Sequence, residues 1–522
     1  MNIKYLWFFV LFLLVACNSK AESLTDVLIS NMPEVAGEWQ VTLVQPNGEP
    51  LMDAILLLEQ EEKSLTGIWQ WSLGDTEIEG HLEGENIFFH FWFEDEGGRQ
   101  VQNAFKGQAG SELMEGTMEF LKEDGTSVFT LTWSAQPVAA AGLPHNEQPV
   151  PIVDIATQPP LELAARFEAT LNALFEQENV PGIVAAYYHS DERSAVFAAG
   201  FSDVEANTPM PVQARMLAGS VGKTFVSALI LNLAAEEVIR LDDPISKWLG
   251  DEHWFSRLPN HDALTVRMLL NHSGGIIDHV HDPSYIATIN DLSQMEKLDQ
   301  DFVFLPEELV AFALDKEPLF PPGEGFNYSD TGYILLGMVI EQATQKPFYE
   351  LIEQRFLTPF QLSNIVPADR RDIPALVPGY LAEDNPLGLP VKTVSEGVML
   401  FNPATEWTGG GFVANAGDLA RWAWLLYGGT AVSKPYLEEM LQSTSPNNTR
   451  YGLGVNVGET PFGLAYGHSG TFPGYTSRIL YFPEHQLGIA VQVNSDTNVD
   501  AFQLTFDLAE GLLLSSTSDT EN

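Results

Sequence analysis

A change in the spacing of apolar residues divides the 522-residue chain into two dissimilar parts. From Gly37 to Trp133 apolar and polar residues alternate in short runs, and turn-forming pairs such as Asn47-Gly48 separate the runs. A period of two puts the apolar side chains on one face of a strand, and regular turns join such strands into antiparallel sheets. This part is predicted to be a small antiparallel β-barrel or sandwich domain. It contains no catalytic constellation, so we interpret it as a spacer or a partner-docking module, with a small ligand-binding barrel as the alternative.

Beyond this β-rich part the spacing becomes mixed, and Leu161 begins an apolar pattern of helical period. Four runs have the length and composition of buried strands, namely Gly182 to Tyr188, Ser194 to Ala199, Ser477 to Phe482 and Gly488 to Asn494. Helical and strand-like segments alternate between them. The pattern predicts a domain of the α/β class that mixes helices and strands.

The net charge of the chain is −46, from 71 acidic and 25 basic side chains. Such a surface repels nucleic acid phosphates and anionic lipid headgroups, so we expect no nucleic acid partner. We interpret the acidity as a means of keeping the protein soluble.

Cys17 is the sole cysteine of the sequence, which excludes a disulfide within the chain and a thiolate metal cluster. A cationic start and the apolar run from Leu6 to Ala16 precede it, and this run is short for a membrane span. The order of these features resembles a bacterial lipoprotein signal peptide, with Cys17 as the lipidated residue. The resemblance implies a lipid-anchored protein of the cell envelope, at the outer membrane and facing the periplasm or the exterior. An ordinary signal peptide and an uncleaved anchor are the alternatives.

These patterns assign boundaries to the whole chain. We predict a lipoprotein signal peptide (1–16), a tether (17–36), the β-rich domain (37–135), a linker rich in Pro, Ala and Gln (136–160), the α/β domain (161–516) and a polar tail (517–522).

Ser220 and Lys223 are three residues apart at the start of an apolar helical stretch, Thr224 to Ala235. If Ser220 opens this helix, the two side chains share one face. A serine hydroxyl becomes a good nucleophile only beside a base, and a helix N-terminus stabilises negative charge that develops there. An isolated match of this kind is better explained by a helix cap and a surface lysine.

Two later motifs favour the catalytic interpretation. Tyr328-Ser329-Asp330 follows a turn-rich approach and precedes an apolar helix predicted from Tyr333. A tyrosine beside a lysine ammonium ionises more easily and can then accept a serine proton. Gly467-His468-Ser469-Gly470-Thr471 lies just before the closing strands, where small residues let a strand edge approach a substrate.

In order and spacing, these three motifs resemble those of the penicillin-recognising serine hydrolases, which include class C β-lactamases, D-amino-acid peptidases and related esterases. Ser220-x-x-Lys223 is similar to the first family motif, Tyr328-Ser329-Asp330 to the second, usually Tyr-x-Asn, and His468-Ser469-Gly470 to the third. The resemblance covers residues 160–515.

The resemblance implies a β-lactamase/transpeptidase-like domain of the α+β type, in which helices flank an antiparallel sheet and a helical subdomain lies between Ser220 and about Tyr328. It also implies an acyl-enzyme on Ser220, with Lys223 and Tyr328 moving the proton. By the same resemblance, the N–H groups of Ser220 and Thr471 form the oxyanion hole. Substrate contacts are expected from Asp330, His468, Ser469, Gly470 and Thr471. No cofactor or metal is required, and the implied substrate is a small molecule or peptide with a scissile ester or amide bond.

Two residues depart from the family pattern and bear on the substrate. Asp330 stands where asparagine is usual, and a carboxylate there would pair with Lys223 and move the role of base toward Tyr328. His468 stands where many β-lactamases have lysine, which removes a permanent cation because histidine is mostly neutral at pH 7. Both changes favour an esterase or D-aminopeptidase type of activity over a true class C-like β-lactamase or a D,D-peptidase.

Three other interpretations compete with this one. Ala218-Gly219-Ser220-Val221-Gly222 is close to the G-x-S-x-G nucleophile elbow of α/β-hydrolases, but the preceding segment is a poor strand. His279-Val280-His281-Asp282 suggests a metal site, although solvated loop histidines are expected instead. A catalytically inactive module that binds peptidoglycan or a peptide is the alternative from another functional class.

Overall fold

The computed structural model describes residues 35–137 and 153–514, except 45–49, 62, 72–73, 84–85, 95–99, 111–112, 122–126, 179, 294–300, 384, 443–449 and 498. The chain separates into two compact units, Met1–Pro149 and Val150–Asn522. The predicted signal peptide with Cys17, the polar tail and the middle of the predicted linker lie outside the described residues.

The first unit is a closed barrel of eight antiparallel strands, in which each strand pairs with the next and β8 pairs with β1. Its strands are β1 (Gly37–Val44), β2 (Pro50–Glu61), β3 (Ser64–Trp71), β4 (Gly74–Glu83), β5 (Asn86–Glu94), β6 (Gln100–Gln108), β7 (Met114–Leu121) and β8 (Ser127–Pro137). Alternate residues point inward, and the interior contains Trp69, Phe89, Phe105 and Trp133, with Phe89 and Phe105 stacked at 4.4 Å between ring centroids. Of the two predicted β architectures, the barrel is the one present.

The second unit is built around a seven-stranded sheet of order β11-β10-β9-β20-β19-β18-β17, and all its neighbouring strands are antiparallel. The strands of this unit are β9 (Gly182–Ser190), β10 (Arg193–Asp203), β11 (Thr208–Pro209), β12 (Met216–Leu217), β13 (Val366–Pro367), β14 (Val394–Ser395), β15 (Val398–Met399), β16 (Phe412–Ala414), β17 (Asn456–Thr460), β18 (Gly463–Phe472), β19 (Tyr475–Phe482) and β20 (Leu487–Val493). The short strands β12, β16 and β13 form a separate three-stranded sheet.

Helices cover both faces of the large sheet. They are α1 (Pro160–Gln177), α2 (Lys223–Ala235), α3 (Ser246–Leu249), α4 (Val266–Leu270), α5 (Pro283–Ser293), α6 (Pro306–Ala311), α7 (Asp330–Thr344), α8 (Phe348–Ile352), α9 (Ala416–Tyr427), α10 (Lys434–Gln442) and α11 (Ala501–Leu513). Helical turns also span Ile155–Thr157, Gly219–Gly222, Phe255–Arg257, His279–His281, Glu353–Leu357 and Pro403–Gly409. The segments from α2 to α6 are helices joined by loops, which agrees with the predicted helical subdomain.

The sheet lies between two apolar cores. Ile183 and Tyr187 of β9 face the core formed with α1 and α11, whereas Val184 and Ala186 face the larger core on the other side. A strand that is buried on both faces gives a continuous apolar run in the sequence, which is why β9 was predictable. Full burial of one such aliphatic or aromatic side chain stabilises the fold by about 1.5–3 kcal/mol.

Helix α2 runs through the larger core and is almost completely buried, because it is apolar on all sides. Phe225 of α2 stacks on Trp422 of α9 at 4.0 Å between ring centroids, and Trp422 Nε1 donates a hydrogen bond to Thr224 Oγ1 at 2.9 Å. These contacts fix the first turn of α2, which holds the predicted catalytic lysine.

The architecture confirms the predicted fold class, a β-barrel domain followed by an α+β domain with an antiparallel sheet flanked by helices. None of the helices within the described ranges has both the length and the apolar character needed to cross a bilayer.

Candidate active site

Ser220 lies in the tight helical turn Gly219–Gly222, between β12 and the start of α2. Gly219 has a φ of 51°, in the region that favours glycine. A methyl group at Gly219 would lie 2.6 Å from Thr471 O and 2.8 Å from Thr471 N. The turn and strand β18 can therefore touch only because no side chain stands between them.

Gly470 of β18 makes the reciprocal close approach. A methyl group at this position would lie 2.1 Å from Ala218 O and 2.8 Å from Ser220 N. The two glycines bring the backbone of Thr471 beside the backbone of Ser220. This is the arrangement that the predicted oxyanion hole requires, since such a site uses backbone N–H groups next to the nucleophile.

Lys223 is completely buried, and its ammonium group has three acceptors. Nζ donates to Ser220 Oγ at 2.9 Å, to Asp330 Oδ1 and to Gly409 O. Since an ammonium group has three hydrogens, each one is used. Burial by itself would lower the pKa of Lys223, but the charges of Asp330, Tyr328 and Glu406 and the hydrogen bond to Asp330 together outweigh this and raise the pKa above its ordinary value. The predicted pair of Asp330 with a protonated Lys223 is present.

Tyr328 places its ring 5.0 Å from Lys223 Nζ, measured to the ring centroid. Its hydroxyl is buried and has no hydrogen-bond partner of good geometry among the described residues. Burial raises the pKa of Tyr328 above its ordinary value, whereas the charge of Lys223 and contact with Ser220 lower it. The resting tyrosine is therefore a neutral phenol beside the Ser–Lys pair.

Asp330 is the first residue of α7, where a carboxylate interacts favourably with the helix N-terminus. Ser329 caps the helix, because its Oγ accepts a hydrogen bond from Gly332 N. The Asp330 N–H donates to Asp278 Oδ1 at 3.0 Å. Burial, followed by the nearby Asp330 charge, raises the pKa of Asp278 well above its ordinary value.

The ring of His468 is buried and belongs to a chain of hydrogen bonds. His468 Nδ1 is 2.6 Å from the carbonyl of Ser469, so this nitrogen donates, and Nε2 accepts from Tyr451 OH at 2.8 Å. Tyr451 accepts from His272 Nε2 at 3.2 Å, and His272 Nδ1 accepts from Ser329 N. In this network both histidines are neutral, and burial lowers the pKa of His468 to about 3.

The other residues of the third motif lie on β18 around this ring. Ser469 and Thr471 are exposed, whereas Gly470 is buried against the nucleophile turn. Of the motif residues, Thr471 also lines the cavity beside Ser220.

The expectation of solvated loop histidines near residue 280 was wrong for one residue. His279 is buried, and its backbone N–H and Nδ1 both contact Thr331 Oγ1, at 3.0 and 3.1 Å. Burial lowers its pKa to about 4. His281 is exposed, as expected. Within the described part of the chain, no group of His, Cys, Asp and Glu side chains has an arrangement that could hold a metal ion.

A cavity of about 230 Å³ opens beside Ser220. Its polar lining includes Asp330, Glu406 and Thr471 together with the nucleophile. The apolar lining consists of Val280, Tyr285, Ile289, Phe302, Phe304, Leu387, Leu389, Phe401, Phe472 and Pro473. A concave apolar site with a few polar groups next to a nucleophile is the usual form of a substrate pocket.

Sequence reasoning missed three residues of this site. Glu406 lies in the cavity, and the glycine run that begins at Gly409 was the only nearby signal. Tyr451 and His272 orient His468, but they come from distant parts of the sequence. No short motif connects these residues, so only the fold shows that they meet.

The fold and the Ser–Lys–Tyr arrangement define a serine hydrolase. Residues 165–512 match the family model described as Beta-lactamase, and the protein belongs to this family.

The relatives include a penicillin-binding protein, a D-aminopeptidase and a D-stereospecific amidohydrolase. Penicillin-binding protein 4* of Bacillus subtilis is 23% identical over 337 residues, which cover 61% of this chain and 69% of that protein. A D-aminopeptidase of Brucella anthropi is 25% identical over 367 residues, 68% of this chain and 64% of the relative. The solved structure of a D-stereospecific amidohydrolase from Streptomyces sp. matches with a TM-score of 0.56 and 30% identity, over 65% of this chain and 96% of that one.

Proposed function

We propose that this protein hydrolyses an ester or amide bond of a small or D-amino-acid-containing substrate through an acyl-enzyme on Ser220. One observation carries the proposal. Lys223 Nζ lies 2.9 Å from Ser220 Oγ and 5.0 Å from the centroid of the Tyr328 ring, and Ser220 itself lines the cavity. A nucleophile within reach of a proton acceptor at the wall of a pocket is what acyl transfer needs.

In the proposed first step, Ser220 Oγ attacks the substrate carbonyl carbon and its proton moves to the Tyr328 oxygen. Tyr328 gives a proton to the leaving nitrogen or oxygen, so the bond to the leaving group breaks with no net change at the tyrosine. The N–H groups of Ser220 and Thr471 stabilise the oxyanion. Removal of one such donor costs about 10²–10³ in rate in studied cases. Water then attacks the ester carbon on Ser220 and gives a proton to the Tyr328 oxygen. Tyr328 returns a proton to Ser220 Oγ as the ester bond breaks, and the acid is released.

The charge of the site favours this activity over β-lactam hydrolysis. His468 is neutral, and its Nε2 already accepts a hydrogen bond from Tyr451 OH. The charge of Lys223 is neutralised by Asp330. Among the described residues that line the cavity there is no Lys, Arg or His. A penicillin carries a carboxylate, and burial of an anion without a cationic partner is unfavourable.

A catalytically inactive binding module is the second candidate, since Asp330 departs from the family pattern. The intact contact between Lys223 and Ser220 argues against it.

Intact-protein mass spectrometry of the full chain in detergent tests the proposal. We expect a fluorophosphonate to add one adduct on Ser220 and p-nitrophenyl esters to turn over, while a fluorescent penicillin gives no stable adduct. Ser220→Ala should lose both the adduct and the turnover. Turnover that persists in Ser220→Ala would refute the assignment, a stable penicillin adduct would indicate a penicillin-binding enzyme, and the absence of any adduct would favour the inactive module.

We also propose that Cys17 carries a lipid that anchors the protein in the bacterial cell envelope. The sequence around Cys17 supports this. Metabolic labelling with a fatty acid should mark the wild-type protein and not Cys17→Ser, and the variant should leave the membrane fraction. Equal labelling of the two proteins would contradict the proposal.

A further inference from the structure

The cavity beside Ser220 combines aromatic walls with two carboxylates. Five aromatic side chains line it: Tyr285, Phe302, Phe304, Phe401 and Phe472. The two carboxylates are those of Asp330 and Glu406. Aromatic faces and carboxylates both attract cations, so both parts of the cavity lining favour a positively charged ligand.

The two carboxylates differ in their partners. Asp330 is paired with Lys223, which neutralises it. Glu406 makes no hydrogen bond or ion pair within the described part of the chain. A methyl group at Gly409 would lie 3.4 Å from Asp330 Oδ1 and 3.4 Å from Glu406 Oε1, so the two carboxylates border the same space beside Gly409. Among the described residues, Glu406 is therefore the carboxylate of the cavity that no cation contacts directly, although the charge of Lys223 acts on it from a distance.

The backbone next to Glu406 is strained. Trp407 has a φ of 37° and a ψ of −117°, a conformation that non-glycine residues rarely adopt. Hydrogen bonds hold the loop in this form, since Gly411 N donates to Trp407 O at 2.7 Å and Thr408 Oγ1 donates to Tyr333 O at 2.8 Å. Because these hydrogen bonds fix the loop, the backbone of Glu406 keeps its position beside the cavity.

We propose that Glu406 binds the ammonium group of the substrate, and that the enzyme selects esters or amides that carry a protonated amine next to an aromatic or other apolar group. This inference rests on the proposed hydrolase activity and names its substrate class. An ammonium group supplies the positive charge that Glu406 lacks, and the aromatic walls receive the apolar group. Glu406 is then a specificity residue that contacts substrate and takes no part in proton transfer to Ser220.

The proposal also predicts how activity depends on pH. Burial raises the pKa of Glu406 to about 7, the charge of Asp330 adds to the effect, and Lys223 opposes it. The ionisable groups whose charges act on Glu406 or respond to it are Asp330, Lys223, Tyr285 and Tyr349. Below pH 7 Glu406 is protonated and cannot form the ion pair. The ratio kcat/KM for an amine-bearing substrate should therefore rise through about pH 7 and fall again as the amine itself loses its proton near about pH 8.

The experiment compares the p-nitroanilides of D- and L-phenylalanine with the p-nitroanilide of 3-phenylpropionic acid, which has the same aromatic body but lacks the amine. Wild-type full-length protein should prefer the amine-bearing substrate. Glu406→Gln should lose about 10- to 100-fold in kcat/KM on that substrate, mainly through KM, because a hydrogen bond to a charged group is removed. Its activity on the uncharged substrate should change less than about twofold. Glu406→Asp should recover part of the loss, and Glu307→Gln, at an exposed position on α6, is the matched control.

The outcomes separate this inference from the function on which it rests. Fluorophosphonate labelling of Ser220 is measured on the same samples, and its absence in the wild type would refute the hydrolase proposal itself. If labelling is intact but the wild type shows no preference for the amine, the role of Glu406 is refuted without reference to any variant. An equal fall in kcat on both substrates in Glu406→Gln would also overturn it, because that pattern belongs to proton transfer. Loss of the rise near pH 7 in Glu406→Gln, on the amine-bearing substrate alone, would support it.

Discussion

The contact between strand β18 and the nucleophile turn leads to a prediction about Gly470→Ala. The added methyl group would lie 2.1 Å from Ala218 O, where an ordinary contact needs 3.4 Å or more. The strand and the turn must therefore separate by about 1.3 Å, and Ser220 moves away from the backbone of Thr471. A displacement of about 1 Å at a reacting group can cost roughly 100-fold in rate, so we expect acylation to slow by about this factor.

The rate of fluorophosphonate labelling at Ser220 measures this effect, and thermal unfolding shows whether the variant is folded. Gly458→Ala on β17 is the matched control, because a methyl group there meets no atom within 4 Å. We expect the control to label at the wild-type rate. If folded Gly470→Ala labels within about twofold of the wild type, the close approach does not set the geometry of the nucleophile, and the reasoning fails.

Two further predictions concern the groups around the nucleophile. Tyr451→Phe leaves the buried groups His272 Nε2–H and His468 Nε2 without hydrogen-bond partners. Urea denaturation should therefore show a loss of about 1–3 kcal/mol in the free energy of unfolding. An unchanged value would show that this chain of hydrogen bonds does not stabilise the fold. Asp330→Asn keeps an oxygen acceptor and removes the negative charge that, after burial, most raises the pKa of Tyr328. Labelling of Ser220 should therefore be retained or increased and should extend to lower pH. Complete loss of labelling in the folded variant would contradict this.

The sequence predicted the large sheet because its central strands are buried on both faces. The run predicted from Gly182 to Tyr188 is part of β9, and the run from Ser477 to Phe482 is part of β19, Tyr475–Phe482. Helix α7 was predicted to start at Tyr333 but begins at Asp330. Its first turn is polar and gives no apolar signal, and the capping hydroxyl of Ser329 defines the true start.

The candidate site was predictable where chemistry is concentrated in short motifs. Ser220 and Lys223 are one turn apart, so local spacing alone places them together. Glu406 could not be found in this way, because it comes from a loop with an unusual backbone conformation at Trp407 and no recognisable catalytic motif. Its carboxylate also resembles the many solvated acidic groups of a chain with 71 Asp and Glu residues.

The structure also limits which group can accept the Ser220 proton. All three hydrogens of the Lys223 ammonium have acceptors, in Ser220, Asp330 and Gly409, so Lys223 offers no lone pair at rest. Burial keeps the pKa of Tyr328 above its ordinary value, so the tyrosine is not a phenolate at rest either. Neither group is a ready-made base. The Tyr328 oxygen can take the serine proton only as its own proton leaves, and the leaving group of the substrate is the acceptor that the cavity supplies. Lys223 then acts by charge, stabilising the tyrosine oxygen while the two protons move.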